Sequence, residues 1–201
     1  MEKNIILTKI PKGALKSRPI TKTVQPKSQL IGTRIPRDFF ITKGKGESDI
    51  TVHAGSYHLA LREAGIEMCN IMTYSSILPS IAKRIERPAK LTHGSVMETI
   101  MAVSTAEKGK RATAAIIFGW LYNRITGEKH GGLVCEYNGP LSEEEASDQL
   151  HQSLNELYTN GYDEEFEMRD ITLNSESLLA TKKYGTALVS LCFTNYVIPL
   201  L

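Results

Sequence analysis

Seven short apolar runs, rich in β-branched and aromatic residues, stand against only two stretches of helical periodicity, and this confines the chain to a sheet-based fold. Residues 39–42 predict a short strand, broken by Lys43-Gly44-Lys45-Gly46. Residues 68–74 predict a buried strand that ends at Ser75-Ser76, because Pro79 opposes simple continuation. Residues 96–104 and 113–122 predict strands paired with each other through a polar loop at Lys108-Gly109-Lys110. Residues 133–137, 166–173 and 187–198 predict three more. Residues 54–64 predict a helix, with Tyr57, Ala60, Leu61 and Ala64 at helical spacing before Gly65, a residue suited to a C-terminal cap. The clearer helix follows a capping box of Ser142 and Glu145, carries Ala146, Leu150, Leu154 and Leu157 on one face, and stops at Asn160-Gly161. Hairpin-like neighbours with two covering helices predict an α+β sandwich rather than a doubly wound sheet.

The chain of 201 residues is long enough for one well-buried domain with an arm. No apolar run approaches the roughly 18 residues of a membrane helix, and Ile5-Ile6-Leu7 is too short for a secretory core. Cys69, Cys135 and Cys192 have no metal-ligand spacing and read as reduced thiols of a cytoplasmic protein. The net charge of +2 conceals an asymmetry: residues 1–34 hold eight Lys or Arg and one acid, while the rest holds 16 bases and 21 acids. Residues 1–35 therefore read as a basic N-terminal extension, solvated or reaching a neighbouring subunit, with residues 36–201 as the folded domain. A targeting role and nucleic-acid binding are the other readings of the leader, but it lacks interleaved aromatics for base stacking.

Most of the chain's local motifs carry no specific chemistry. Gly44-x-Gly46 lacks the G-K-[ST] ending of a phosphate loop and reads as a turn. The five histidines show no zinc-binding spacing, and Ser75-Ser76 sits in no nucleophile elbow.

Four ordered blocks point further. The run Asn70-Ile-Met-Thr-Tyr-Ser75-Ser76-Ile-Leu-Pro79 resembles the self-cleavage segment of pyruvoyl-dependent arginine decarboxylases. Ala60-Leu61-x-x-Ala64-Gly65-Ile66 is similar to the helix and cap before it, Gly131-Gly132-Leu-Val-Cys-Glu136-Tyr137 to the catalytic-acid strand, and Tyr184-Gly185-x-Ala187-Leu188 to the C-terminal strand. Gly44-x-Gly46-Glu-Ser-Asp49 looks most like the bacterial branch with the chlamydial enzymes. The resemblance implies a four-layer αββα sandwich with mainly antiparallel sheets. It also implies a homotrimer or dimer of trimers with active sites between subunits, and no membrane.

It further implies autocatalytic cleavage between Ser75 and Ser76, which turns Ser76 into a covalent pyruvoyl group. That ketone serves decarboxylation of arginine to agmatine and CO2, a reaction compatible with polyamine synthesis or acid resistance. Glu136 takes the role of the acid that protonates the substrate α-carbon, and its apolar surroundings suit it, since desolvation raises a carboxyl pKa. Asn70 is implied as an oxyanion donor or as a group orienting the scissile peptide. The chain departs from the family at His58, where arginine decarboxylases place an Asp for the guanidinium, and an imidazole cannot reproduce a carboxylate fork. Glu47 or Asp49 is the candidate substitute, across a subunit boundary if need be. Otherwise the substrate is another amino acid, or the chain is an uncleaved regulatory or assembly relative.

Overall fold

The computed structural model describes residues 33–199, so the basic leader lies outside the described residues except for its last three. In chain order the strands are β1 (Ile35–Pro36), β2 (Asp38–Ser48), β3 (Asn70–Thr73), β4 (Ile77–Pro79), β5 (Lys83–Arg84), β6 (Val96–Glu107), β7 (Arg111–Asn123), β8 (Lys129–Gly139), β9 (Phe166–Leu179), β10 (Tyr184–Phe193) and β11 (Tyr196–Val197). Helix α1 (His58–Ala64) follows β2, and α2 (Glu143–Thr159) follows β8. One sheet runs β3-β6-β10-β2-β5 and the other β4-β8-β7-β9, while β1 and β11 form a small separate ladder. Every pairing is antiparallel except β2–β5 and β3–β6.

The layers follow from which face each apolar residue occupies. Phe39 and Phe40 are adjacent, so they point to opposite faces of β2, and both are fully buried. Phe39 joins Ile100, Leu191, Ile116 and Phe118 between the sheets. Phe40 joins Leu188 on the outer face, under Ala60, Leu61 and Ala64 of α1. On the far side Leu150 and Leu154 of α2 pack on Ala115, Ile117 and Leu133. The result is the expected αββα order. Among the described residues no helix is long and apolar enough to cross a membrane.

Several local expectations change. Gly44 and Gly46 do not break the first strand; β2 runs straight through them. Their missing side chains let α1 lie directly on the strand, since a Cβ on Gly44 would meet the Ala60 carbonyl oxygen and one on Gly46 that of Ser56. The helical segment begins earlier than periodicity implies, with a π-helical stretch at Val52–Tyr57, and ends as expected at left-handed Gly65 (φ +70°). β6 and β7 are not partners. The turn at Gly109 (φ +79°) carries the chain from one sheet to the other, and Gly109 N–H donates to Ala180 O in the parallel crossing between β9 and β10. Both strands are buried over most of their length, so local alternation holds no record of which neighbour each takes. β3 lies at a sheet edge and is largely exposed rather than buried. Leu157 is 40% exposed at the end of the α2 stripe, and the final long strand breaks after Phe193.

Candidate active site

A third crossing between sheets places the chemistry. β3 belongs to the first sheet and β4 to the second, and Tyr74, Ser75 and Ser76 span the gap. The approach is fixed on both sides. Tyr74 N–H donates to Thr99 O (2.7 Å), and the Tyr74 ring packs on Phe193 with centroids 5.6 Å apart. Beyond the crossing, Val134 N–H donates to Ser76 O (3.3 Å), and Ile77 pairs with Leu133.

Between these anchors the backbone makes a three-residue turn: Ile77 N–H donates to Ser75 O (2.9 Å), with Ser76 at its centre. The Ser76 hydroxyl donates to Glu136 Oε1 at 2.5 Å. Glu136 lies on β8 beyond the end of β4, opposite Ile116 of β7, on the face that looks into the sandwich. Burial pushes its carboxyl above the ordinary 4.5, against the opposing pull of the Ser76 hydroxyl and its own N–H. Burial also raises the neighbouring Cys135 thiol, helped by the charge of Glu136. A hydroxyl held on a carboxylate, with an N–H already on the adjacent carbonyl oxygen, can support attack of that hydroxyl on that carbonyl.

The remaining sequence candidates lie elsewhere on the protomer. Asn70 begins β3, its side-chain amide donates to Gly94 O (2.9 Å), and with His53, Tyr57, His58 and Cys69 it lines a cavity of about 510 Å³ beside α1. Glu47 and Asp49 are further away, at the Gly185 end of β10, seven residues or roughly 24 Å along the strand from Cys192, the partner of the Thr99 that anchors Tyr74. Both carboxylates already hold the turn between β9 and β10. Glu47 accepts from Thr181 N–H (2.5 Å), Thr181 Oγ1 (3.0 Å) and Lys182 N–H (3.1 Å), and Asp49 accepts from Lys183 N–H (3.0 Å). No group of His, Cys, Asp or Glu able to hold a metal ion occurs among the described residues.

A further cluster beside the crossing carries no sequence motif. Glu98 is buried at 2% exposure, its Oε2 accepts from Tyr74 OH (2.5 Å), and its Oε1 pairs with the Arg34 guanidinium. Arg34, Tyr74 and Ser75 line a second cavity of about 480 Å³ with Ile35, Pro36, Ile77 and Pro79. A signal was present, because Glu98 is the only acid in the apolar run 96–104.

With that geometry in view, comparison with known proteins settles the family. The model of the pyruvoyl-dependent arginine decarboxylases (PvlArgDC) matches residues 38–198. The chain belongs to that family. A probable pyruvoyl-dependent arginine decarboxylase of Chloroherpeton thalassium is 33% identical over 131 residues, covering 61% of this chain and 71% of its own. The pyruvoyl-dependent arginine decarboxylase AaxB of Chlamydia abortus is 31% identical over 192 residues, covering 82% and 94%. The enzyme of Methanococcoides burtonii is 40% identical over a shorter 89 residues, 41% of this chain and 47% of its own. Membership of this family brings a covalent pyruvoyl group as cofactor. The Ser76 setting fits it, since the residue sits in a turn with its hydroxyl on a half-buried carboxyl and its preceding carbonyl already bonded.

Proposed function

We propose that the chain cuts itself between Ser75 and Ser76 and, with the pyruvoyl group formed at position 76, decarboxylates arginine to agmatine and CO2. The observation that carries this reading is the 2.5 Å hydrogen bond from Ser76 Oγ to Glu136 Oε1, beside a Ser75 carbonyl held by Ile77 N–H.

Glu136 takes the hydroxyl proton as Ser76 Oγ attacks the Ser75 carbonyl carbon. Negative charge grows on the Ser75 oxygen, where Ile77 N–H already points. The C–N bond breaks, its nitrogen takes a proton, and an ester links Ser75 to the residue 76 side chain. Removal of the residue 76 α-proton then expels the ester oxygen from Cβ, which leaves a Ser75 carboxylate and a dehydroalanine. Water converts the latter to the ketone and releases ammonia. The ketone supplies an electrophile that takes up the substrate amine and accommodates the electron pair left by departing CO2. Glu136, whose carboxyl is held by burial above its ordinary pKa, delivers a proton to the substrate α-carbon.

Asn70 and His58 enter from a neighbouring subunit in this reading, within a homotrimer or a dimer of trimers. Two observations support it. Both residues line a cavity different from the one beside Ser75. Exposed Met72, Ile77 and Val96 also leave apolar surface around the crossing, as an assembly face does. Glu47 and Asp49, held by the 181–183 turn, act here as turn anchors rather than as guanidinium ligands. Three unpaired thiols, at Cys69, Cys135 and Cys192, support a cytoplasmic setting. Incubating the purified protein with arginine and assaying agmatine tests the activity. Agmatine is expected, and its absence across a broad pH range, with another amino acid consumed instead, would reassign the substrate.

A further inference from the structure

Cleavage creates a charge that the intact chain lacks. The Ser75 carboxylate is made from its old carbonyl oxygen and the former Ser76 Oγ, and that Oγ starts 2.5 Å from Glu136 Oε1. Two carboxylates cannot remain so close without sharing a proton or separating. Residues up to Tyr74 are pinned, through Tyr74 N–H on Thr99 O, the ring on Phe193 and the hydroxyl on Glu98. The new end can therefore turn only at Ser75. Among the described residues, the cavity that Ser75 lines contains one cation, Arg34.

We propose that Arg34 receives the Ser75 carboxylate once the chain is cut, drawing it off Glu136 and clearing the space beside residue 76 for substrate. The inference rests on the proposed Ser75-Ser76 cleavage. Arg34 is equipped for the task. Its guanidinium is fixed on one side by Glu98 and lies 5.2 Å from the centre of the Tyr196 ring, yet its side chain is 54% exposed. Glu98 engages one of its nitrogens, and the fork has donors to spare for a second carboxylate. The buried Glu98 thus acts as a positioning residue. It holds Arg34 and Tyr74 on its two oxygens, and they flank the new chain end. Arg34 and Ser75 belong to the upstream fragment and Glu98 to the downstream one, so the same contacts tie the two fragments together.

The crystal structure of the processed protein tests this directly. A Ser75 carboxylate oxygen about 3 Å from an Arg34 guanidinium nitrogen is expected. A cut chain whose Ser75 carboxylate lies more than about 6 Å from Arg34 overturns the inference alone, whereas an uncut chain removes the cleavage reading and the inference with it. An energetic test separates charge capture from simple packing. Arg34→Gln loses the Glu98 contact whether or not the chain is cut, but loses the Ser75 contact only when it is cut. The fall in Tm is expected to be at least about 3 °C greater in the processed protein than in the uncleavable Ser76→Ala background. Equal falls overturn the proposal, and if Arg34→Gln does not fold, the carboxylate position in the processed crystal structure decides.

Discussion

Ser76 and Glu136 illustrate how one hydrogen bond can join residues sixty positions apart. Ser76→Ala removes the attacking oxygen, so it is expected to leave the chain uncut on a denaturing gel; an unchanged pair of fragments would contradict its role. Glu136→Gln keeps the shape but not the base, and cleavage is expected to slow by about 10²–10⁴-fold, measured by the disappearance of full-length chain after synthesis. The raised Glu136 pKa also has a thermodynamic sign. The folded chain binds that proton more tightly than the unfolded one, so this contribution to stability is complete below the ordinary value of 4.5 and is lost as pH rises through the raised value. In an uncleavable Ser76→Ala background, Glu136→Gln should therefore gain in relative Tm as pH is taken from 4 towards 8. A difference that is flat with pH would mean the carboxyl is not perturbed. Much of this pair was legible from motif resemblance and from a Glu in an apolar run. The Glu98–Arg34–Tyr74 cluster was not, because Arg34 sits in a basic leader whose other charges gave no reason to single it out.

At the level of elements, two glycines and one turn carry the lesson. Gly44 and Gly46 look like punctuation when read locally, since glycine usually interrupts a strand. Their reason is tertiary: the α1 backbone lies where their side chains would be. Gly46→Val should push α1 off β2 and destabilise the domain by about 1–3 kcal/mol or more, measured by urea unfolding. A neutral result would mean that the helix does not rest on the strand as closely as described. Glu47 is the opposite case, a residue put forward as a substitute for the guanidinium carboxylate missing at His58, whose oxygens here bond the turn at Thr181 and Lys182. Burial raises its carboxyl pKa, but hydrogen bonds from Thr181 and Lys182 outweigh this and hold it below the ordinary value. Its contribution is thus present above the ordinary value of 4.5 and lost as pH falls through the lowered one. Glu47→Ala should lower stability near neutrality by about 1 kcal/mol with cleavage unaffected. Loss of agmatine formation in a folded, cleaved Glu47→Ala protein would return Glu47 to the substrate. The capping box of α2 and the glycine cap of α1 were readable because both are local hydrogen-bond patterns. The partners of β6 and β7 were not, because strand pairing is set by residues distant in sequence.

For the whole molecule, the sandwich provides an arrangement that a single sheet could not. The peptide proposed as the cleavage site, Ser75-Ser76, runs between the sheets, with the Glu136 carboxyl on one sheet and the strand that leads into the serines on the other. The exposed apolar surface near that crossing belongs to the same design if the site closes between subunits. Met72→Glu should then yield lighter species by analytical ultracentrifugation and lower turnover at least tenfold, because a charge at an apolar contact opposes docking. Retention of assembly and turnover would place the interface elsewhere. The central claim, that position 76 carries a cofactor made from the chain itself, is tested most directly by intact mass spectrometry of the purified protein. The account predicts two fragments joined at no covalent bond, broken between residues 75 and 76, with the downstream fragment lighter by one ammonia than simple hydrolysis would leave it. A single uncut chain, or a downstream fragment beginning with an ordinary serine, would contradict it.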